Sequence, residues 1–228
     1  MTEKELAAMI DITMVQNHHT RQEIEGLTDT ARKYGCAAVF VMPCYTKLIS
    51  ERLSGSGVCA GGVSGFPDGA ATTEIKLLEA QDCLKNGADE LDMVINIGWL
   101  KSGMDREVRE EIRRLKDVVG ERPLKCIIEI NDLTEDEAKR ASLLVVEGGA
   151  DFVKTATGWR GSTKLEHIQL IRSTIGDAAK IKAAGGIRTL ETAESFIAAG
   201  ASRLGIGAEA AIRILESIPA DSRDNESR

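Results

Sequence analysis

The sequence predicts an α/β protein of the (β/α)8 TIM-barrel class, built as a single domain. Short apolar or β-branched runs recur along the chain, and charged amphipathic stretches separate them. Eight such runs favour a closed barrel over an open sheet, because every connection can then be short and right-handed. The chain of 228 residues also lies within the roughly 200 to 250 that one such barrel occupies.

Each of the eight runs has the length of a single strand. In chain order they are AMIDITMV (8–15), AAVFVMP (37–43), VCAGGVSGF (58–66), ELDMVIN (90–96), LKCIIEI (124–130), DFVKTAT (151–157), KIKAAGGI (180–187) and SRLGIGA (202–208).

Between the runs, apolar residues recur with helical spacing. The clearest helices are predicted over 73–88, 105–120, 134–150 and 190–201. Thr134 with Glu137 has the spacing of a capping box, which marks a helix start, and the glycines of NGA, GGA and AGA stand where a helix should end. We therefore predict a barrel over 1–219, followed by a disordered polar tail over 220–228.

Composition restricts the partners and the compartment. A formal net charge of −7 argues against nucleic acid, because no basic face large enough to follow a phosphate backbone can form. The five cysteines are odd in number and lack metal-ligand spacing, which favours reduced thiols. MTEKELAAMI resembles no signal peptide, and no apolar stretch reaches the roughly 18 residues of a membrane helix. A cytoplasmic protein with no membrane partner is the expectation.

Two lysines lie inside apolar strand-like runs, Lys154 in DFVKTATGW and Lys182 in AKIKAAGGI. Desolvation lowers the pKa of a lysine, and a neutral amine is a nucleophile that attacks carbonyl groups. If the two strands are neighbours, repulsion between the ammonium groups lowers at least one pKa further. The alternative is that both side chains extend from a strand end to solvent and have no chemical role.

Strand alternation selects the charged residues that share a face with these lysines. If the faces point inward, one cavity holds Asp92, Lys125, Glu129, Lys154 and Lys182. Such a cluster is costly unless the charges pair. Asp92 and Glu129 therefore either take part in chemistry or only neutralise the lysines, and for Lys125 we favour a structural role.

Four strings carry a family resemblance: GFPDGAATTEIKLLEA, GADELDMVIN, GADFVKTATGW and KAAGGIRTLETA. They resemble motifs of the deoxyribose-phosphate aldolases, class I aldolases that join or cleave acetaldehyde and glyceraldehyde 3-phosphate. The resemblance implies that Lys154 forms the Schiff base, that Lys182 tunes it and takes part in proton transfer, and that Asp92 is the acid and base. It implies no metal and no cofactor, and a sugar phosphate and an aldehyde as substrates.

A phosphate site is expected near two glycine-containing turns. Backbone amides of Gly185 and Gly186, with those around Gly207 and Ala208, could form the anion nest common in barrel folds. Alternatively these residues only permit tight turns. Arg160, Lys164 or Arg188 nearby could replace lost phosphate contacts, or they could be solvated loop residues.

Several positions depart from the family pattern. Ile12 stands where a histidine is common, Phe40 where a cysteine is frequent, and Trp159 where some members have a lysine. Gly207 and Ala208 stand where serines are often found. The exact substrate therefore stays open, with two alternatives: a related Schiff-base aldolase or transaldolase acting on another sugar phosphate or keto-sugar, and a non-catalytic sugar-phosphate-binding protein. We also expect a homo-oligomer, with a dimer as the simplest form.

Overall fold

The computed structural model describes residues 1–219, in which eight parallel strands close into one barrel. Neighbours in sequence are neighbours in space, and β8 returns to pair with β1, with Ile10 beside Leu204. This confirms the predicted (β/α)8 fold, while the tail predicted over 220–228 lies outside the described residues. The strands are β1 (Ile10–Met14), β2 (Ala38–Val41), β3 (Cys59–Ser64), β4 (Glu90–Val94), β5 (Leu124–Ile127), β6 (Phe152–Lys154), β7 (Lys180–Ala184) and β8 (Arg203–Gly207).

The helices surround the barrel, and all four predicted helices are present. The Thr134–Glu137 capping box is confirmed, since the Thr134 N–H donates to Glu137 Oε2 at 2.8 Å and the Glu137 N–H to Thr134 Oγ1 at 3.3 Å. The helices are α1 (Glu3–Ala7), α2 (Arg21–Tyr34), α3 (Thr46–Leu53), α4 (Thr73–Lys85), α5 (Ile97–Lys101), α6 (Asp105–Val119), α7 (Glu135–Glu147), α8 (Leu165–Ile175), α9 (Leu190–Ala198) and α10 (Ala208–Glu216); short 3-10 turns cover Pro43–Tyr45 and Ile130–Asp132.

Alternation along the strands separates an apolar outer layer from a charged interior. On β1, Ile10 and Ile12 belong to the main hydrophobic core, whereas the intervening Asp11 contacts ionic groups inside the barrel. On β4, Leu91 and Met93 pack in the core and Asp92 lies with the charged groups. The same alternation therefore produces both the packing of the fold and its inner polar cluster.

The five cysteines are all free thiols. Cys36, Cys83 and Cys126 are buried, and burial raises the pKa of each thiol, that of Cys36 to about 12. A thiol with a raised pKa contains little thiolate at neutral pH and is a poor nucleophile. Cys44 is exposed.

No helix within residues 1–219 is long and apolar enough to cross a bilayer.

One fully buried ion pair lies outside the barrel interior and joins α4 to α6. Lys76 Nζ donates to Glu111 Oε2 at 2.8 Å and to the Val94 carbonyl oxygen at 2.8 Å, and neither charged side chain is exposed. Thr73 Oγ1 donates to Glu111 Oε1 at 3.1 Å. The pair therefore ties two helices to the end of β4.

Removing one partner of this pair should be far more damaging than removing both. We expect Glu111→Leu to lower the free energy of unfolding by about 3 to 5 kcal/mol, because Lys76 is left as an uncompensated buried charge. The double variant Lys76→Met, Glu111→Leu should recover more than half of that loss. Urea denaturation of Glu111→Leu, Lys76→Met and the double variant measures the differences in the free energy of unfolding. A double variant as unstable as Glu111→Leu would contradict the electrostatic explanation.

Candidate active site

A cavity of about 430 Å³ opens at the C-terminal ends of the strands, the end at which barrel enzymes bind their substrates. Lys154 and Asp92 reach its inner end. Apolar groups of Phe40, Val63 and Phe66 form part of one wall. The cavity therefore brings ionisable groups and an apolar surface together.

Lys154 is the last residue of β6, and its Nζ donates to Asp92 Oδ2 at 2.7 Å. The residue is 5% exposed, so its amine lies in the cavity lining but is shielded from bulk water. A lysine in this position can meet a carbonyl group entering from the open end. The position fits the nucleophile predicted from the sequence.

Lys182 lies beside Lys154 on the adjacent strand, where the two residues are register partners of β6 and β7. Its Nζ donates to the same Asp92 oxygen at 2.6 Å and lies 2.6 Å from Asp11 Oδ2. Burial lowers the pKa of Lys182 to about 8, helped by the neighbouring lysine charges and opposed by the two aspartates. Lys182 therefore titrates near neutrality although it is fully buried.

Asp92 joins the two lysines. Burial alone would raise its pKa, but the ammonium groups of the three nearby lysines outweigh burial and hold the pKa well below its usual value. Oδ2 accepts from both Lys154 and Lys182, whereas Oδ1 accepts no hydrogen bond from residues 1–219 and has Lys125 Nζ at 3.6 Å. Asp92 is thus an ionised carboxylate that holds both lysines through one oxygen, while its other oxygen is buried.

A second layer of charges lies deeper in the barrel, and most of its residues were not predicted from the sequence. Arg203 donates to Asp11 Oδ1 at 2.7 Å and lies 3.3 Å from Glu90 Oε1, while Lys125 donates to Glu90 Oε2. Burial lowers the pKa of Lys125, but the carboxylates around it reverse this effect and raise that pKa. Lys125 is therefore a cation held between carboxylates inside the barrel, and its structural role stays a prediction.

The interior holds one more basic group than it holds carboxylates. If every group were charged, one cation would lack a partner in a region with little water, which is costly. This imbalance favours a neutral amine among the four basic residues. The carboxylates are Asp11, Glu90 and Asp92, and the basic residues are Lys125, Lys154, Lys182 and Arg203.

Comparison with known proteins assigns the chain to a family. A sequence profile described as DeoC/LacD family aldolase matches residues 6–211. The chain belongs to the DeoC/LacD aldolase family.

Named relatives cover almost the whole chain. It is 42% identical over 217 residues to a deoxyribose-phosphate aldolase of Staphylococcus haemolyticus, covering 95% of this chain and 98% of that protein. It is 46% identical over 209 residues to one of Listeria monocytogenes, covering 91% and 94%. The solved structure of a deoxyribose phosphate aldolase from Aeropyrum pernix, described as a tetramer, has a TM-score of 0.84 at 31% identity and covers 95% and 92%. These matches confirm the resemblance seen in the motifs.

The four residues predicted to bind phosphate all line the cavity of this DeoC/LacD aldolase. Gly185 and Gly186 have φ angles of 96° and 77°, a left-handed region that favours glycine. Gly207 ends β8, and α10 begins at Ala208 without a side-chain cap on its first turn. Arg188 also lines the cavity.

The positions that depart from the common family pattern are not equivalent. Ile12 is fully buried in the main core and is not part of the cavity lining, whereas Phe40, Trp159, Gly207 and Ala208 all line it. Trp159 is 41% exposed and packs edge-on against Phe66, with ring centroids 6.0 Å apart. Four of the five positions expected to depart from the family pattern therefore line the cavity.

Glu129 does not join the charged cluster, contrary to the expectation from strand alternation. β5 ends at Ile127, and Glu129 has a φ of 48° in the turn that follows. Its carboxylate accepts hydrogen bonds from the N–H and the hydroxyl of Thr157. Glu129 therefore anchors the β6 end of the cavity wall.

Within the described part of the chain, no three His, Cys, Asp or Glu side chains form a group that could hold a metal ion.

Proposed function

We propose that this protein is a class I aldolase that cleaves 2-deoxy-D-ribose 5-phosphate reversibly to acetaldehyde and D-glyceraldehyde 3-phosphate. The observation that carries the proposal is the shared contact of Lys154 and Lys182 with one oxygen of Asp92, at the inner end of an open cavity. The Staphylococcus haemolyticus and Listeria monocytogenes relatives are both named deoxyribose-phosphate aldolase, which supports the choice of substrate.

In the proposed mechanism, the neutral amine of Lys154 attacks the C1 aldehyde carbon of the open-chain sugar. The carbinolamine loses water to form a protonated imine, which withdraws electrons from the adjacent C2–C3 bond. When the C3 hydroxyl loses its proton, that bond breaks, glyceraldehyde 3-phosphate leaves, and the electron pair remains in an enamine. Protonation of the enamine at C2 and hydrolysis of the resulting imine release acetaldehyde and restore the lysine.

Asp92 and Lys182 supply the proton transfers in this proposal. Asp92 can exchange a proton with a substrate hydroxyl or a water, because it lines the cavity and its Oδ2 contacts both lysine amines. Lys182, with a pKa near 8, can hold or release a proton close to neutral pH. A positive Lys182 also disfavours a second charge on Lys154.

Reductive trapping tests the proposal. The protein is incubated with deoxyribose 5-phosphate and sodium borohydride, and any reduced adduct is located by peptide mass. We expect an adduct on Lys154 that is absent from Lys154→Leu and retained in Lys180→Leu, since Lys180 is an exposed lysine on β7. Trapping only with another carbonyl donor would indicate the related aldolase or transaldolase, and no adduct with any donor would favour a non-catalytic binding protein.

The phosphate site proposed at Gly185, Gly186, Gly207 and Ala208 has its own test. Ala208→Asp places a carboxylate in the first turn of α10, a position that is compatible with the helix dipole but repels phosphate. We expect KM for deoxyribose 5-phosphate to rise by roughly tenfold or more, while the activity towards unphosphorylated deoxyribose changes less than about twofold. An equal loss of activity towards both substrates would show that the phosphate does not bind at the start of α10. Ala208→Asn is the uncharged control.

We further infer a role in deoxynucleoside breakdown in the cytoplasm, and a homo-oligomer with a dimer as the simplest form. The tetramer described for the Aeropyrum pernix relative supports association but not the dimer. Light scattering after size-exclusion chromatography measures the number of subunits.

A further inference from the structure

The side chain of Phe40 lies among charges rather than in the main core. It is 1% exposed, lines the inner part of the cavity, and packs with Ala38 and Val63 in a small apolar cluster separate from the main core. Gly61, its register partner on β3, leaves the space for the ring, because a Cβ there would lie 2.5 Å from a ring carbon. The two strands are therefore matched to place an aromatic ring at this point.

Two buried ammonium groups lie against this ring. Lys182 Nζ is 3.9 Å from the ring centroid and Lys125 Nζ is 4.6 Å away, and both lysines are fully buried. The π face of a benzene ring carries partial negative charge and attracts cations, most strongly where water is excluded. The barrel interior has more basic groups than carboxylates. The ring thus supplies part of the missing negative potential without being ionisable itself.

We propose that Phe40 is a positioning residue whose ring keeps Lys182 in its charged form beside the amine of Lys154. Lys154 and Lys182 contact the same oxygen of Asp92, so the charge of Lys182 lies next to the amine of Lys154. The ring lies against Lys182 and therefore favours the charged form of that lysine. The consequence for catalysis rests on the proposed Schiff base at Lys154.

The ring acts on Lys182 together with the charged residues that surround this lysine. Burial lowers the pKa of Lys182 to about 8, so a modest change in its surroundings alters its charge near neutral pH. Without the ring the ammonium of Lys182 loses one favourable contact, so a smaller fraction of Lys182 carries the charge that lies next to the amine of Lys154. The charged groups around Lys182 are Asp11 on β1, Glu90 and Asp92 on β4, Lys125 on β5, Lys154 on β6 and Arg203 on β8.

Graded fluorination tests the proposal with almost no change of shape. Fluorine withdraws the negative potential from the ring face, so 3,5-difluoro- and 3,4,5-trifluorophenylalanine introduced at position 40 weaken the attraction stepwise. The titration of Lys182 is followed in the free protein by the chemical shift of its ¹³C-labelled ε-carbon, assigned with Lys182→Met. In parallel, kcat/KM is measured against pH. The same analogues at Phe196, which packs in the main core on α9, are the matched control.

We expect the midpoint of the Lys182 titration to fall in steps, by up to about one pH unit for the trifluoro analogue. The corresponding kcat/KM should fall by about twofold at pH 7 and by up to roughly tenfold at pH 9, where both midpoints lie below the pH. Phe40→Leu should shift the midpoint in the same direction, whereas fluorination at Phe196 should leave it in place. Midpoints that coincide in the trifluoro and unmodified proteins would overturn the proposal and leave the ring with a packing role only.

The titration separates this inference from the proposed function. If the protein forms no imine with any donor but the Lys182 midpoint falls with fluorination, the contact between ring and lysine stands while the aldolase proposal fails. If imine trapping succeeds and the midpoint does not move, the aldolase proposal stands and the role of Phe40 fails.

Discussion

Lys154→Leu should lower the rate of aldol cleavage by roughly 10⁴-fold or more, because among residues 1–219 Lys154 is the one lysine in the cavity lining. The variant should remain folded, since Asp92 keeps Lys182 as a partner at 2.6 Å. Release of glyceraldehyde 3-phosphate in a coupled assay measures the loss. Urea denaturation checks the fold.

Lys154→Arg is the matched variant for this experiment, because it keeps a positive charge but has no nucleophilic amine at accessible pH. Equal losses in the leucine and arginine variants are expected if nucleophilic attack is the role of Lys154. Substantial activity in the arginine variant would assign Lys154 an electrostatic role and would contradict the Schiff-base proposal.

Asp92→Asn should lower kcat by about 10²- to 10⁴-fold, the range for loss of a positioned proton-transfer group. It should also cost about 3 to 5 kcal/mol of stability at pH 7, because the buried lysines around it lose their shared counter-ion. Asp132→Asn, which changes an aspartate on the surface, is the control for kinetics and stability.

The stability difference in Asp92→Asn depends on pH in a defined direction. The pKa of Asp92 is lower in the folded protein than in the unfolded chain, so its stabilising effect is complete above the unfolded value of about 3.9. The effect is lost as pH falls through the folded pKa. The gap between wild type and variant should therefore be constant from neutral pH to about 5 and narrow below about 4. A gap that widens on acidification would contradict this assignment.

The strands, the barrel and the central residues of the candidate site follow from local sequence patterns. Consecutive strands of a barrel pair with each other, so two lysines in consecutive apolar runs must lie close together, and Lys154 and Lys182 are register partners. Alternation along β4 placed Asp92 on the inner face, where it contacts both lysines. These predictions depended only on the two-residue alternation of side chains along a strand and on the pairing of consecutive strands.

Contacts across the barrel were less predictable, because they depend on closure and on the reach of long side chains. Asp11 on β1 contacts Lys182 on β7 and Arg203 on β8. Its position as a charged residue in the apolar run AMIDITMV was a signal that could have identified it. Glu129 was placed wrongly because alternation was extended past Ile127, where β5 ends. The contact between Phe40 and Lys182 depends on the space beside Gly61, which no periodic pattern reports.

The single oxygen that binds both Lys154 and Lys182 has a consequence for how this protein will respond to acid and base. Groups so strongly linked give up protons as an ensemble, and the inflections of a pH–rate curve are macroscopic constants of that ensemble. A substitution at any member, including Asp11 two strands away from β7, should displace every inflection at once. The pH optimum is then a collective property of the barrel interior, and changes at several of its strands can adjust it without altering the nucleophile.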